Sequence, residues 1–104
     1  MAKSLYQINL DYAKAIGQAE ELEKIAGEIN TLMNDNFETC MGSVRNSWKG
    51  ENAERYVSKG QQLKTKVLTT EKNLRNAAET IRNIAKRTRE ADLKAREIAM
   101  QTGG

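Results

Sequence analysis

The stretch Met41-Gly42-Ser43-Val44-Arg45-Asn46-Ser47-Trp48-Lys49-Gly50 interrupts an otherwise helical pattern near the middle of the 104-residue chain. Its glycines and small polar residues permit a sharp reversal and open helix ends. On both sides of it, apolar and small residues recur in steps of three and four, the spacing of one helix face. Upstream the series is Tyr12, Ala15, Ala19, Leu22, Ala26, Ile29 and Met33. Asn36 and Cys40 continue that phase, flanked by Ile16, Ile25, Leu32 and Phe37. Downstream it is Ala53, Tyr56, Gly60, Leu63, Val67, Thr70, Leu74, Ala77, Ile81, Ile84, Thr88, Ala91, Ala95 and Ile98. The pattern predicts an all-α fold: one antiparallel helix-turn-helix hairpin domain over residues 1–104.

Within that domain the boundaries follow local chemistry. Tyr6, Ile8 and Leu10 alternate with polar residues, which predicts an extended lead-in over 1–10. Asn9 or Asp11 can then cap helix one, expected over about 11–41. The hinge is expected over about 42–50 and helix two over about 51–100, leaving a frayed tail at 101–104. Proline is absent, so nothing covalent interrupts either helix.

The seams bear on oligomeric state. Many seam positions are Ala, Gly or Thr, which allow close approach but bury little area. Isolated two-helix hairpins are marginal at this size. A second apolar line on helix two, Val57, Leu68, Ala78 and Ala85, runs beside the first. The stripes are wider than one hairpin needs, so a second hairpin is expected to cover them in a four-helix bundle. Leu22, Ile29, Met33, Leu63, Val67, Leu74, Ile81 and Ile84 are the candidate core and dimer seam. Self-contained folding with a loose core is the alternative.

Charge is divided unevenly. Residues 1–50 hold five Lys/Arg against seven Asp/Glu, a balance of −2, whereas residues 51–104 hold twelve against seven, a balance of +5. Folding at the midpoint lays an acidic arm along a basic one. Solvated helix faces account for such charges, and so does orientation of a hairpin or a partner. Lys86, Arg87, Arg89, Lys94 and Arg96 concentrate positive charge near the C-terminal end of helix two, where the helix dipole favours it. Glu90, Asp92 and Glu97 interleave with them and no aromatic platform accompanies them, so nucleic acid is not the expected partner.

Composition argues against an enzyme. His is absent, Cys40 is the sole cysteine, and no Gly-rich phosphate loop or nucleophile–base pair can be assembled. No cofactor and no metal is expected. Cys40 is read as a small apolar residue of the helix-one seam, with a disulfide across a symmetric dimer as the other possibility. Asn36 in the same seam is read as a buried polar contact that specifies register. No segment reaches the roughly 20 apolar residues of a membrane span, and the N-terminus does not read as a signal peptide.

The ten residues Ser47-Trp48-Lys49-Gly50-Glu51-Asn52-Ala53-Glu54-Arg55-Tyr56 carry a resemblance. With the chain length and the two helical arms, they resemble the WXG family of about 100 residues, the early-secreted-antigen-like proteins of bacterial type VII secretion. Ala53 and Tyr56 match a small and an aromatic residue that the family often carries after the Trp-x-Gly motif. The resemblance implies a hairpin that dimerises into a four-helix bundle and is exported by a membrane-embedded machine with its secretion ATPase. The protein would then be cytoplasmic before export and secreted without a signal peptide. Its partner would be a second copy, a related hairpin or a larger secreted effector, with roles in virulence or interbacterial competition. The resemblance departs at the C-terminal Tyr-x-x-x-Asp/Glu signal, where Thr88-Arg89-Glu90-Ala91-Asp92 keeps the acidic position and lacks the aromatic. Export would then depend on a partner or on a signal shared across the bundle. A targeting adaptor for a larger toxin is one alternative, and a non-secreted cytoplasmic helical assembly factor is another. Trp48, Gly50 and Tyr56 are the motif residues. Trp48 is read either as a hydrophobic cap on the hinge or as part of a recognition surface.

Overall fold

The computed structural model describes residues 2–48 and 50–103. Helix α1 covers Leu5–Thr31, a π-helical segment follows at Leu32–Phe37, α2 covers Glu38–Ser47, and α3 covers Glu51–Gln101. No described residue lies in a strand, so the fold is all-α.

Helix α1 begins at Leu5, where an extended lead-in is expected from the alternation of Tyr6, Ile8 and Leu10. The cause is local. The Ser4 hydroxyl accepts the Gln7 backbone N–H at 3.1 Å, and the Ser4 carbonyl accepts that of Ile8 at 3.0 Å. Ser4 therefore satisfies amide groups that the first helical turn leaves free. The Gln7 side-chain amide then donates to Asp11 one turn on, at 2.7 Å. Asn9 and Asp11 lie inside the helix instead of capping it.

At the other end α2 runs through Gly42 and Ser43, which the hinge was expected to contain, and stops at Ser47. Glycine inside a helix costs about 1 kcal/mol, less than burying a methionine gains, and Met41 is only 4% exposed. Between α2 and α3, Trp48 and Gly50 are the described residues, and Lys49 lies outside them. Trp48 is extended (φ −104, ψ 138), and its N–H donates to the Val44 carbonyl at 2.9 Å. Gly50 has φ +90, a left-handed conformation that a side chain would strain. Its carbonyl accepts the Glu54 N–H at 3.3 Å, opening α3 with Glu51 and Glu54 in the first turn. That acidic turn suits the positive end of the helix dipole.

The chain divides into two compact units. The first comprises Met1–Leu22 with Asn76–Gly104. Ile8, Ala19, Ala78 and Ala85 are buried there, with Ile8 at 1% exposure. Small residues at three of these four positions permit close helix approach. Lys3 reaches Asp92 at 3.4 Å, and the Arg89 guanidinium lies 4.1 Å from the centre of the Tyr12 ring. Such a stacked cation adds of order 0.5–1 kcal/mol at a partly exposed site.

The second unit is Glu23–Arg75. Ala26, Met33, Met41 and Ala53 are buried in it. Its cross-contacts descend in order: Asn30 with Glu71, Glu38 with Lys64, and Met41 with Gly60. At Gly60 an added Cβ would stand 2.6 Å from Met41 Sδ and 3.2 Å from Phe37 Cζ. Glycine here provides room for another side chain, whatever its own backbone freedom.

Two seam expectations are corrected in this unit. Asn36 and Cys40 are exposed, while Phe37 is half-buried and Met41 buried. The π segment is the reason. Its turn holds roughly one residue more than the α-helix, so every later position lags by about one residue. The buried polar contact assigned to Asn36 is made instead by Asn30.

Candidate protein-interaction surfaces

In the second unit Trp48 and Tyr56 meet beside the break between α2 and α3. The Trp48 and Tyr56 rings lie 5.3 Å apart with planes inclined at 52°, a tilted aromatic pair. Each remains half-exposed, Trp48 at 52% and Tyr56 at 51%. An open cleft lined by Arg45, Trp48, Gly50, Ala53, Glu54 and Val57 lies beside the pair. The extended Trp48 backbone and the left-handed Gly50 place the indole outside both helices, with the Tyr56 ring near it. This arrangement offers aromatic surface beside the cleft.

The candidate seam residues do not share one environment. Met33 is buried; Leu22, Ile29, Val67, Leu74 and Ile81 are half-buried; Leu63 and Ile84 are 53% and 52% exposed. On α3 the buried positions Ala78 and Ala85 and the half-buried Val57 and Leu68 belong to the second apolar line. The first line divides: Ala53 is buried and Gly60, Val67, Leu74 and Ile81 are half-buried, while Tyr56, Leu63, Ala77, Ile84, Ala91 and Ile98 are exposed. The inward face of α3 therefore runs between the two lines and takes residues from each.

The exposed apolar residues of the second unit have charged edges. On α1 and the π segment, Ile25 and Leu32 are 44% and 51% exposed, and exposed Glu28 and Asp35 follow each by three residues. On α3, exposed Lys59 and Lys66 follow Tyr56 and Leu63 by the same interval. Residues three apart are surface neighbours on a helix. One ridge is therefore acid-edged and the other base-edged.

Two polar clusters inside this unit were not read from the sequence. Asn30 Nδ2 donates to Glu71 Oε1 at 2.9 Å, and Arg75 Nε donates to Glu71 Oε2 at 2.8 Å. The Asn30 hydrogen bond, then that from Arg75, holds the Glu71 carboxyl below its usual range. Glu38 Oε1 accepts from Lys64 Nζ at 2.8 Å and from Gln61 Nε2 at 3.2 Å. Those bonds, Lys64 first, lower the Glu38 pKa as well. The Glu71–Arg75 spacing was the visible signal, since Glu four residues before Arg is a favourable helix pair.

In the first unit, Thr88 is exposed and the Asp92 side chain is 25% exposed, held by Lys3. Lys3 also binds Asp11 at 2.9 Å, which raises the lysine pKa and, with Gln7, lowers that of Asp11. Thr88 and Asp92 line a shallow apolar pocket with Ile8, Tyr12, Ile81 and Arg89. The basic cluster is partly occupied within the chain: Arg89 by Tyr12, and Arg96, which donates to Met100 Sδ at 3.2 Å. Arg89 Nε is buried without a hydrogen-bond partner among the described residues.

Among the described residues no three His, Cys, Asp or Glu side chains group as metal ligands, and no helix is long and apolar enough to cross a membrane. No family model matches the chain, and nothing among curated proteins or solved structures matches it.

Proposed function

We propose that this chain is a helical hairpin that works by protein–protein recognition, pairing with a second copy or a related hairpin in a four-helix bundle. The observation that carries the reading is the pair of oppositely edged ridges, Ile25 and Leu32 beside Glu28 and Asp35, Tyr56 and Leu63 beside Lys59 and Lys66. Half-exposed large apolar residues at helical spacing leave area for another helix to bury. Opposite charges at their margins favour one docking direction over others. The descending order of cross-contacts in the second unit supports the hairpin.

The resemblance around Trp48 and Gly50 gives the pairing its setting. We place the chain in bacterial type VII secretion, as a small exported substrate or secretion partner of the WXG kind. Asp92 is tied to Lys3 and Thr88 stands where an aromatic would be, which favours export with a partner over export alone. A targeting role for a larger secreted protein follows from the same feature.

Light scattering tests the assembly: a dimer mass is expected, and a monomer at all concentrations would remove the bundle. Culture medium tests the setting. The chain is expected there in a strain with an intact secretion ATPase and is expected to vanish from it when the ATPase is deleted. Retention in both strains with a dimer mass would leave a cytoplasmic assembly factor as the reading, and export that ignores the ATPase would remove the type VII setting.

A further inference from the structure

The shallow pocket of the first unit, between the start of α1 and the C-terminal part of α3, has a volume of about 210 Å³. Small residues make the room: Ala15 and Ala85 stand in its lining where longer side chains would close it. Ile8, only 1% exposed, and Ile81 complete an apolar wall beside the Tyr12 ring. An apolar cavity of roughly 150 Å³ already holds benzene. This one therefore has space for a ring on a short arm, or for a short aliphatic chain.

One group in that lining is unsatisfied. Arg89 Nε is buried with no hydrogen-bond partner among the described residues. The guanidinium lies over the Tyr12 ring, 4.1 Å from its centre, and a ring face is a poorer acceptor than an oxygen. The two carboxylates of the lining, Asp11 and Asp92, are both engaged by Lys3, at 2.9 and 3.4 Å. Lys3 thus serves two acids, and Arg89 is left with the ring. A buried donor without an acceptor is costly, and an arriving oxygen removes that cost. A carboxylate does so best, because its bond to a guanidinium is charge-assisted and two-pronged. Such a bond is stronger than a stacked cation at a partly exposed site, so the guanidinium can turn from the ring to meet it.

We propose that this pocket binds a small apolar carboxylate. Its ring or short chain rests on Ile8, Ala15 and Ala85, and its carboxylate is held by the Arg89 guanidinium. The site does not rest on the pairing proposed above, whose ridges lie in the second unit. A ligand seated there touches both α1 and α3, and so fastens the start of one helix to the other.

Hydrocinnamate, with hydrocinnamyl alcohol as its uncharged counterpart, tests the site by titration followed through backbone amide signals. The acid is expected to shift those of Ile8, Tyr12, Ala85 and Thr88 saturably, leaving those of Ala26 and Gly60 in the second unit in place. It is expected to bind wild type about tenfold more tightly than the alcohol. Arg89→Met should bring the acid down to the affinity of the alcohol and leave the alcohol unchanged. Arg87→Met, at an exposed position outside the pocket lining, should alter neither by more than about twofold. Ala15→Leu fills the space and should abolish both, with helix content kept by circular dichroism. Absence of saturable shifts at the pocket of wild type overturns the proposal. Equal affinity of wild type for acid and alcohol overturns it as well, and that comparison requires no variant to fold. Equal weakening by Arg87→Met and Arg89→Met also overturns it, since attraction to the chain's positive charge would then explain the binding.

Discussion

Asn30 donates its side-chain amide to Glu71 at 2.9 Å, across 41 residues of sequence, and the glutamate is only 9% exposed. Its other oxygen is taken by Arg75 from the next turn. A nearly buried carboxylate held from both sides costs much to leave half-satisfied, so the contact sets which residues of α1 and α3 face each other. The proposed bundle begins from this register.

Acid should loosen the second unit through Glu71. Its folded pKa lies below the ordinary 4.5, so the carboxylate's stabilisation is complete above that value and is lost as pH falls through the folded pKa. Glu38 behaves alike. Thermal melts between about pH 3 and pH 7 should show the wild-type midpoint falling below about pH 4.5. Glu71→Gln should start lower at neutral pH and fall less, because the charge that titrates is gone. A variant whose acid dependence matches wild type would remove Glu71 from the linkage.

Met33 is the last inward residue before the π segment and is 8% exposed. Truncation to Ala should cost about 2–5 kcal/mol, read as a lower denaturation midpoint with helical structure kept at low temperature. Cys40→Ala, at an exposed position, should stay within about 0.5 kcal/mol of wild type. Reversal of that order would place the inward face one residue earlier.

Ser4→Ala should cost about 1 kcal/mol by exposing amide groups of the first turn, whereas Asn9→Ala should cost nothing as a cap. Chemical denaturation of both variants distinguishes a helix starting at Leu5 from one starting near Asp11.

Charge reversal tests the edged ridges. Lys59→Glu with Lys66→Glu should weaken self-association, more at low salt than at high, since exposed charges are screened. Adding Glu28→Lys and Asp35→Lys to the same chain should restore it. Sedimentation of the three proteins over a dilution series reads the outcome, and failure of the fourfold variant to recover would separate the two ridges.

Trp48→Ala should leave most of the stability in place, losing about 1 kcal/mol from the Tyr56 pair. If the dimer mass persists while export into the medium stops, the indole acts in recognition. If dimer and helix content are lost together, it acts as a cap on the turn.

Much of this architecture is written in residue spacing. The steps from Ala19 through Ala26 to Met33 locate the inward face of α1, and Gly50-Glu51 marks the start of α3. Phase was harder to read than periodicity. Nothing in Leu32-Met33-Asn34-Asp35-Asn36-Phe37 announces a wider turn, so Asn36 and Cys40 were placed one residue out of step with the fold. On α3 the line through Tyr56, Leu63 and Ile84 is the more apolar by side-chain size. The inward face runs between that line and the second, through Ala53, Val67, Leu74, Ala78, Ile81 and Ala85, and pattern reading weights side-chain size. The cap at Ser4 was visible as Ser-x-x-Gln but was masked by the alternation of Tyr6, Ile8 and Leu10. Trp48, Gly50 and Tyr56 were singled out through the resemblance around Trp48-Lys49-Gly50, and the contact between the two rings was not read from spacing.

The chain has one tryptophan, and it stands at the turn, half-exposed against Tyr56. Its emission therefore reports the segment between α2 and α3, while far-ultraviolet dichroism averages over every helix. Unfolding followed by the two signals becomes a comparison of places within one molecule. An emission change that precedes the loss of helix would mark opening of the turn as a separate, lower-energy event.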